Sequence, residues 1–194
     1  GLYRLTTGHR RADGAVLVTL TTFNLAEGET KDIELIFAAE KSEVKNLGRL
    51  PQKLSFPAFV DDTELQVEQL RGKQGVVLVW LEPDREPTKH LIRDLTERKA
   101  QFDALGVPLI LCLGADKVTE SFALENYQGL PENVYFVKDD TYQKFALVQK
   151  GLQKELPENF PMVVAADRDG IVRYVSTGYQ IGTGIHILAS LQRG

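Results

Sequence analysis

Two continuous apolar runs, "VVLVWL" at 76–81 and "VPLILCL" at 107–113, constrain this chain's fold more than any other feature. Such runs, rich in Val, Ile and Leu, suit strands covered on both faces. Between them, "PTKHLIRDLTERKAQFDAL" repeats apolar residues at helical spacing. Leu91, Ile92, Leu95, Phe102 and Leu105 fall on one helical face. A strand, a helix and a second strand in this order imply parallel pairing through a right-handed crossover. At 194 residues and 43% hydrophobic content, the chain can fill a real core around such a unit.

The segments downstream extend the pattern. "KVTESFALENYQ" reads as a second helix, "NVYFV" as a short strand, and 141–150 as a helix. "PMVVAAD" and "IVRYVST", joined at Asp169-Gly170, read as an antiparallel hairpin, and "GIHILASL" as a final helix. Upstream, "LYRLTTG", "AVLVTLTTFNL" and "KDIELIF" alternate apolar and polar residues as half-buried strands do, with turns at Asp13-Gly14 and "AEGET". Three strands are too few to hide an apolar face alone. Residues 1–40 therefore read as the end of a β-sandwich, 41–60, charged and holding Pro51 and Pro57, as a linker, and 61–194 as an α/β domain. A piece cut from a longer chain would begin as this one does, at Gly1 rather than Met.

One cysteine, Cys112, narrows the chemistry sharply. It excludes an intramolecular disulfide and any cysteine-built metal cluster. A formal net charge of −4 with no polybasic block argues against nucleic acid. No apolar run approaches the roughly 18 residues of a membrane span.

The order of elements, and two local stretches, carry a resemblance. "LRGKQGVVLVWLEPDREPTK" resembles the lead-in of periplasmic redoxin-type thioredoxins, in which a strand and short loop precede Cys-x-Pro-Cys-Lys. Laid over it without a gap, Arg85 and Thr88 take the places of the two cysteines, while Pro87 and Lys89 keep theirs. "ENFPMVVAADRDG" resembles the second landmark of that family, a cis-proline before a hairpin, here Pro161. The resemblance implies a thioredoxin-like fold over about 60–194, a central mixed sheet flanked by helices. Dithiol exchange needs a thiolate and a resolving thiol on one helical turn. Arg85 is a permanent cation and Thr88 a hydroxyl, so neither supplies one. The chain as a whole also resembles the C-terminal region of transglutaminase-like proteins of the Bacteroidetes, through "YRLTTGHRRADGAVLVTLTTFNLAEGET" and "EPTKHLIRDL". That resemblance implies a catalytic domain upstream and an extracytoplasmic location. It carries no catalytic residue onto this sequence.

The candidate site is a groove for a peptide or anion, built from Arg85, Glu86, Pro87, Thr88, Phe160 and Pro161, with the guanidinium as anion partner beside helix N–H groups. No catalytic residue, metal or cofactor is expected. Glu86, His90 and Asp94 share one helix face at a spacing that metal ligands use, and that solvated faces use more often. Cys112, amid apolar neighbours, reads as core. "GYQIGTGIHI" lacks the third glycine of a dinucleotide loop, and Thr183 as helix N-cap accounts for it. His186 reads as a core-edge residue, and His9, Arg10 and Arg11 as a solvated basic tip. The leading function is a non-catalytic binding or scaffold module whose partner is the upstream domain or a peptide. The rivals are a thiol-disulfide oxidoreductase or peroxidase acting through Cys112, and a purely structural appendage.

Overall fold

The computed structural model describes residues 1–10, 16–32, 46–114, 127–153 and 155–192. The chain divides into two compact units, Gly1–Glu43 and Val44–Gly194.

In the first unit, β1 (Leu2–Arg10) and β2 (Val16–Asn24) form an antiparallel hairpin in register from Leu2↔Asn24 to Arg10↔Val16. Tyr3 and Phe23, directly opposed, stack with ring centroids 5.9 Å apart, a favourable cross-strand pair. Ala26 and Glu29 close the turn after β2 through two hydrogen bonds. The Asp13-Gly14 turn, most of "KDIELIF", Arg11 and the side chains of His9 and Arg10 lie outside what is described.

In the second unit a five-stranded sheet has the order β7-β6-β5-β8-β9. β5 (Val76–Leu81), β6 (Leu109–Leu113) and β7 (Val134–Lys138) run parallel. β8 (Met162–Ala166) lies antiparallel to β5, and β9 (Val172–Thr177) antiparallel to β8. The apolar runs make sense here, because alternate residues feed two different cores. Val77, Val79 and Leu81 join one core with α2 (Glu86–Glu97), α3 (Lys99–Leu105) and α5 (Thr183–Leu191). Val76, Leu78 and Trp80 join the other with β3 (Ser55–Pro57), α1 (Val67–Leu70) and α4 (Gln143–Lys150). Cys112 belongs to this second core and is fully buried.

Several expectations need correcting. The segment expected as a linker is not one from residue 46 onward. Leu50, Leu54 and Phe56 are buried in the second core, and β3 pairs with β4 (Glu64–Gln66). Apolar burial outweighs the charge and proline that suggested a surface crossing. The long helix is two helices, broken at Arg98, whose φ of −108° and ψ of 13° leave the helical well. Thr183 does not cap α5. Its hydroxyl donates to the Gln180 carbonyl (2.7 Å), and the N-cap is Gly182 at φ 85°. His186 is exposed rather than at the core edge, with its ring stacked near Tyr174.

Gly75 fixes the start of β5. Its φ is +122°, and a Cβ there would lie 1.9 Å from the Ala166 carbonyl oxygen on β8. Gly75→Ala is expected to cost about 2–4 kcal/mol through backbone strain and displacement of β8. In thermal unfolding this is a fall in Tm of roughly 10 °C. An unchanged Tm would mean that β8 yields freely at this point.

Candidate functional site

β5 ends at Leu81, and the next four residues turn the chain into α2. Arg85 donates its N–H to the Glu82 carbonyl (3.2 Å) and is the N-cap of α2. Its own carbonyl accepts from the N–H groups of Thr88 (3.1 Å) and Lys89 (3.3 Å). Pro87 at the second helical position has no N–H to offer. Glu86 is thus the one residue in the first turn of α2 whose backbone donor is not accounted for within the turn.

The Arg85 guanidinium is already engaged. Its Nε is ion-paired with the Glu82 carboxylate, although about half of the Arg85 side chain stays exposed. Glu86 is exposed, with His90 Nε2 3.5 Å from one of its oxygens. Thr88 is 1% exposed, and its hydroxyl has no hydrogen-bond partner among the described residues.

The antiparallel register brings in the second half of the site. Met162 stands opposite Trp80, so Pro161 directly precedes the end of β8 that lies beside the end of β5. The Phe160-Pro161 peptide bond is cis. Phe160 is buried and packs on Tyr142, with ring centroids 4.9 Å apart and planes tilted by 42°. Burial pushes the Tyr142 phenol up; Glu82 and Asp139 push it further, and Arg85 pulls it back. Tyr142 thus packs on Phe160 within electrostatic reach of Glu82 and Arg85. Glu82 is one of the carboxylates expected from the sequence to offset Arg85, with Asp84 and Glu86; sequence reasoning missed Tyr142. Tyr142 sits 18 residues from Phe160 in a turn with a left-handed φ of 52°, and no local pattern announces it.

The remaining candidates are structural in their contacts. Asp94 is buried and accepts from Arg98 Nε (2.8 Å) and from the Gly184 N–H (2.7 Å), which fastens α2 to α5. His90 stacks on Tyr179 at 5.5 Å. The helix face Glu86–His90–Asp94 is thus divided between solvent and an interhelical clasp. Burial, with a smaller contribution from the Asp139 charge, pushes the Cys112 thiol well above its ordinary value.

No protein-family model and no curated protein matches this chain. Solved structures do. Peroxidoxin BcpB from Mycobacterium tuberculosis superposes with a TM-score of 0.59 at 15% identity, covering 76% of this chain and 97% of the other. A thioredoxin-like protein from Aeropyrum pernix gives 0.54 at 11%, covering 74% and 90%. A secreted Mycobacterium tuberculosis disulfide oxidoreductase homologous to E. coli DsbE gives 0.52 at 15%, covering 72% and 97%. The fold is thioredoxin-like. In this thioredoxin-like domain the end of β5, the start of α2 and the Phe160-Pro161 bond meet at one end of the sheet. An antiparallel strand pair precedes the domain in the chain. Among the described residues, no helix is long and apolar enough to cross a membrane.

Proposed function

We propose that this chain is a non-catalytic thioredoxin-like binding module, carried at the C-terminal end of a longer, exported transglutaminase-like protein. The hairpin of β1 and β2 is then the end of a β-sandwich in that parent. The observation that carries the reading is the pairing at the start of α2. By the sequence resemblance Arg85 and Thr88 take the places of the redoxin cysteines, and the Phe160-Pro161 bond precedes β8 at the same end of the sheet. A groove of this composition holds an extended acidic peptide or the upstream domain, with the guanidinium gripping a carboxylate in two places. The secreted oxidoreductase among the similar structures favours an extracytoplasmic home.

Arg85 must leave Glu82 to bind such a ligand. The exchange is easy, because an exposed ion pair is worth about 0–1 kcal/mol. A charge-assisted hydrogen bond in a sheltered groove returns about 1.5–3 kcal/mol. Affinity is accordingly modest, on the order of micromolar. The test is an NMR titration with an acidic peptide blocked at both ends. Shifts should centre on Arg85, Tyr142 and Phe160. Arg85→Ala should weaken binding about tenfold or more and Lys89→Ala much less, whereas Glu82→Gln should strengthen it. If the shifts avoid these residues, or the two alanine variants behave alike, the domain is a structural appendage. The rival of a different class, an oxidoreductase or peroxidase working through Cys112, draws on the fold likeness and requires a thiol that solvent reaches.

A further inference from the structure

Behind the groove, on the flank of α2 that faces the other core, lies a cavity of about 320 Å³. Its lining is Pro83, Asp84, Thr88, Lys89, Ile92, Arg93 and Tyr127. The cavity shares Thr88 with the groove, but its lining includes neither Arg85 nor Phe160, which pack or pair elsewhere. Three features mark it as built for a ligand.

The first is the Thr88 hydroxyl, buried in the lining without a hydrogen-bond partner among the described residues. A buried hydroxyl left in that state is costly, and a ligand atom in the cavity would satisfy it. The second is charge. Lys89 and Arg93 stand four residues apart on one helix ridge, where like charges repel. Among the described residues neither has an ion pair, and both are exposed at the rim. Among the described lining residues, two cations stand against one carboxylate, Asp84. The third is the apolar floor of Pro83, Ile92 and Tyr127, whose phenol burial pushes up to about 12, so it stays a neutral ring throughout the working range. The volume is near the lower end for ligand pockets and suits a single ring or a branched alkyl group.

We propose that this cavity binds a small carboxylate bearing an aromatic or branched apolar group. The apolar body lies on Pro83, Ile92 and Tyr127, the charge at Lys89 and Arg93, and one polar atom receives the Thr88 hydroxyl. Such a group is either a free acid or the C-terminal residue of a peptide.

NMR titration of the full chain with 3-phenylpropionate, its amide and the tripeptide Gly-Gly-Phe tests this. Saturable shifts at Thr88, Ile92 and Tyr127 are expected for the free acid, in the millimolar range. The amide and the double variant Lys89→Ala/Arg93→Ala should bind about fivefold or more weakly. Arg85→Ala should leave binding unchanged, which separates this site from the groove. Binding of the tripeptide at least as tight as that of the acid assigns the site to chain ends; clearly weaker binding assigns it to free acids. Thr88→Val should weaken binding while raising Tm by a few degrees, since it removes an unsatisfied hydroxyl at constant shape. Equal binding of acid and amide, absence of saturable shifts at the three residues, or a lower Tm for Thr88→Val would each overturn the proposal.

Discussion

Asp139→Ala should lower stability by about 3–5 kcal/mol, among the largest effects of any single side chain here. Asp139 is 5% exposed and serves three donors at once. It accepts from Trp80 Nε1 (2.9 Å) and from the N–H groups of Lys144 (3.2 Å) and Phe145 (3.1 Å). The indole belongs to a fully buried side chain packed edge-on against Phe56 and Phe145. Alanine would strand that N–H without water, and it would leave two amides in the first turn of α4 without their acceptor. The expected fall in Tm is about 10 °C or more. Trp80→Phe removes one donor along with its ring volume and leaves the α4 cap intact, so it should cost clearly less. Chemical denaturation decides the matter. A loss below about 1 kcal/mol for Asp139→Ala would mean that solvent reaches these donors.

Much of this fold was legible in the residues. The runs at 76–81 and 107–113 have the length and β-branched content of strands buried on both sides, and a helical repeat between them implies parallel pairing. The Asp169-Gly170 turn announced the final hairpin, whose Asp167 side chain accepts from the Asp169 and Ile171 N–H groups. Less visible was whatever depends on contacts between distant residues. Leu50, Leu54 and Phe56 follow no strand or helix period, so prolines and charges dominated the reading of their segment, although they lie in a core. Asp139 acts across 59 residues on Trp80 and from outside the usual cap position on α4. Of the groove, Arg85, Thr88 and Phe160-Pro161 are legible in the sequence. The packing of Tyr142 on Phe160 is not, because a contact across 18 residues leaves no local pattern. The burial of Thr88 had no sequence signal either. A threonine in a first helical turn is usually solvated or capping.

The second large effect concerns thiol reactivity. With a single cysteine in the chain, any thiol chemistry must pass through Cys112. Cys112 is fully buried in the middle of β6, between β5 and β7. Its sulfur lies 3.9 Å from the Ile110 carbonyl, which it can reach only as a weak donor. Burial and the Asp139 charge both favour the protonated thiol over the reactive thiolate. An attacking disulfide or peroxide would also have to enter a strand flanked by neighbours on both sides. Reaction therefore waits on opening of the sheet core, an event whose free energy approaches that of global unfolding. For a domain stable by 5–15 kcal/mol, as typical native proteins are, the slowing is at least about a thousandfold.

The rate at which Cys112 reacts with an aromatic disulfide reagent, native against unfolded at the same pH, is therefore the most direct measurement. A binding module without redox chemistry predicts a native rate at least about a thousandfold below the unfolded one, accelerating only as denaturant approaches the unfolding transition. A native rate within about tenfold of the unfolded one would contradict it. Cys112 would then be accessible as a thiolate, and the domain would belong with the thiol-dependent enzymes whose fold it shares.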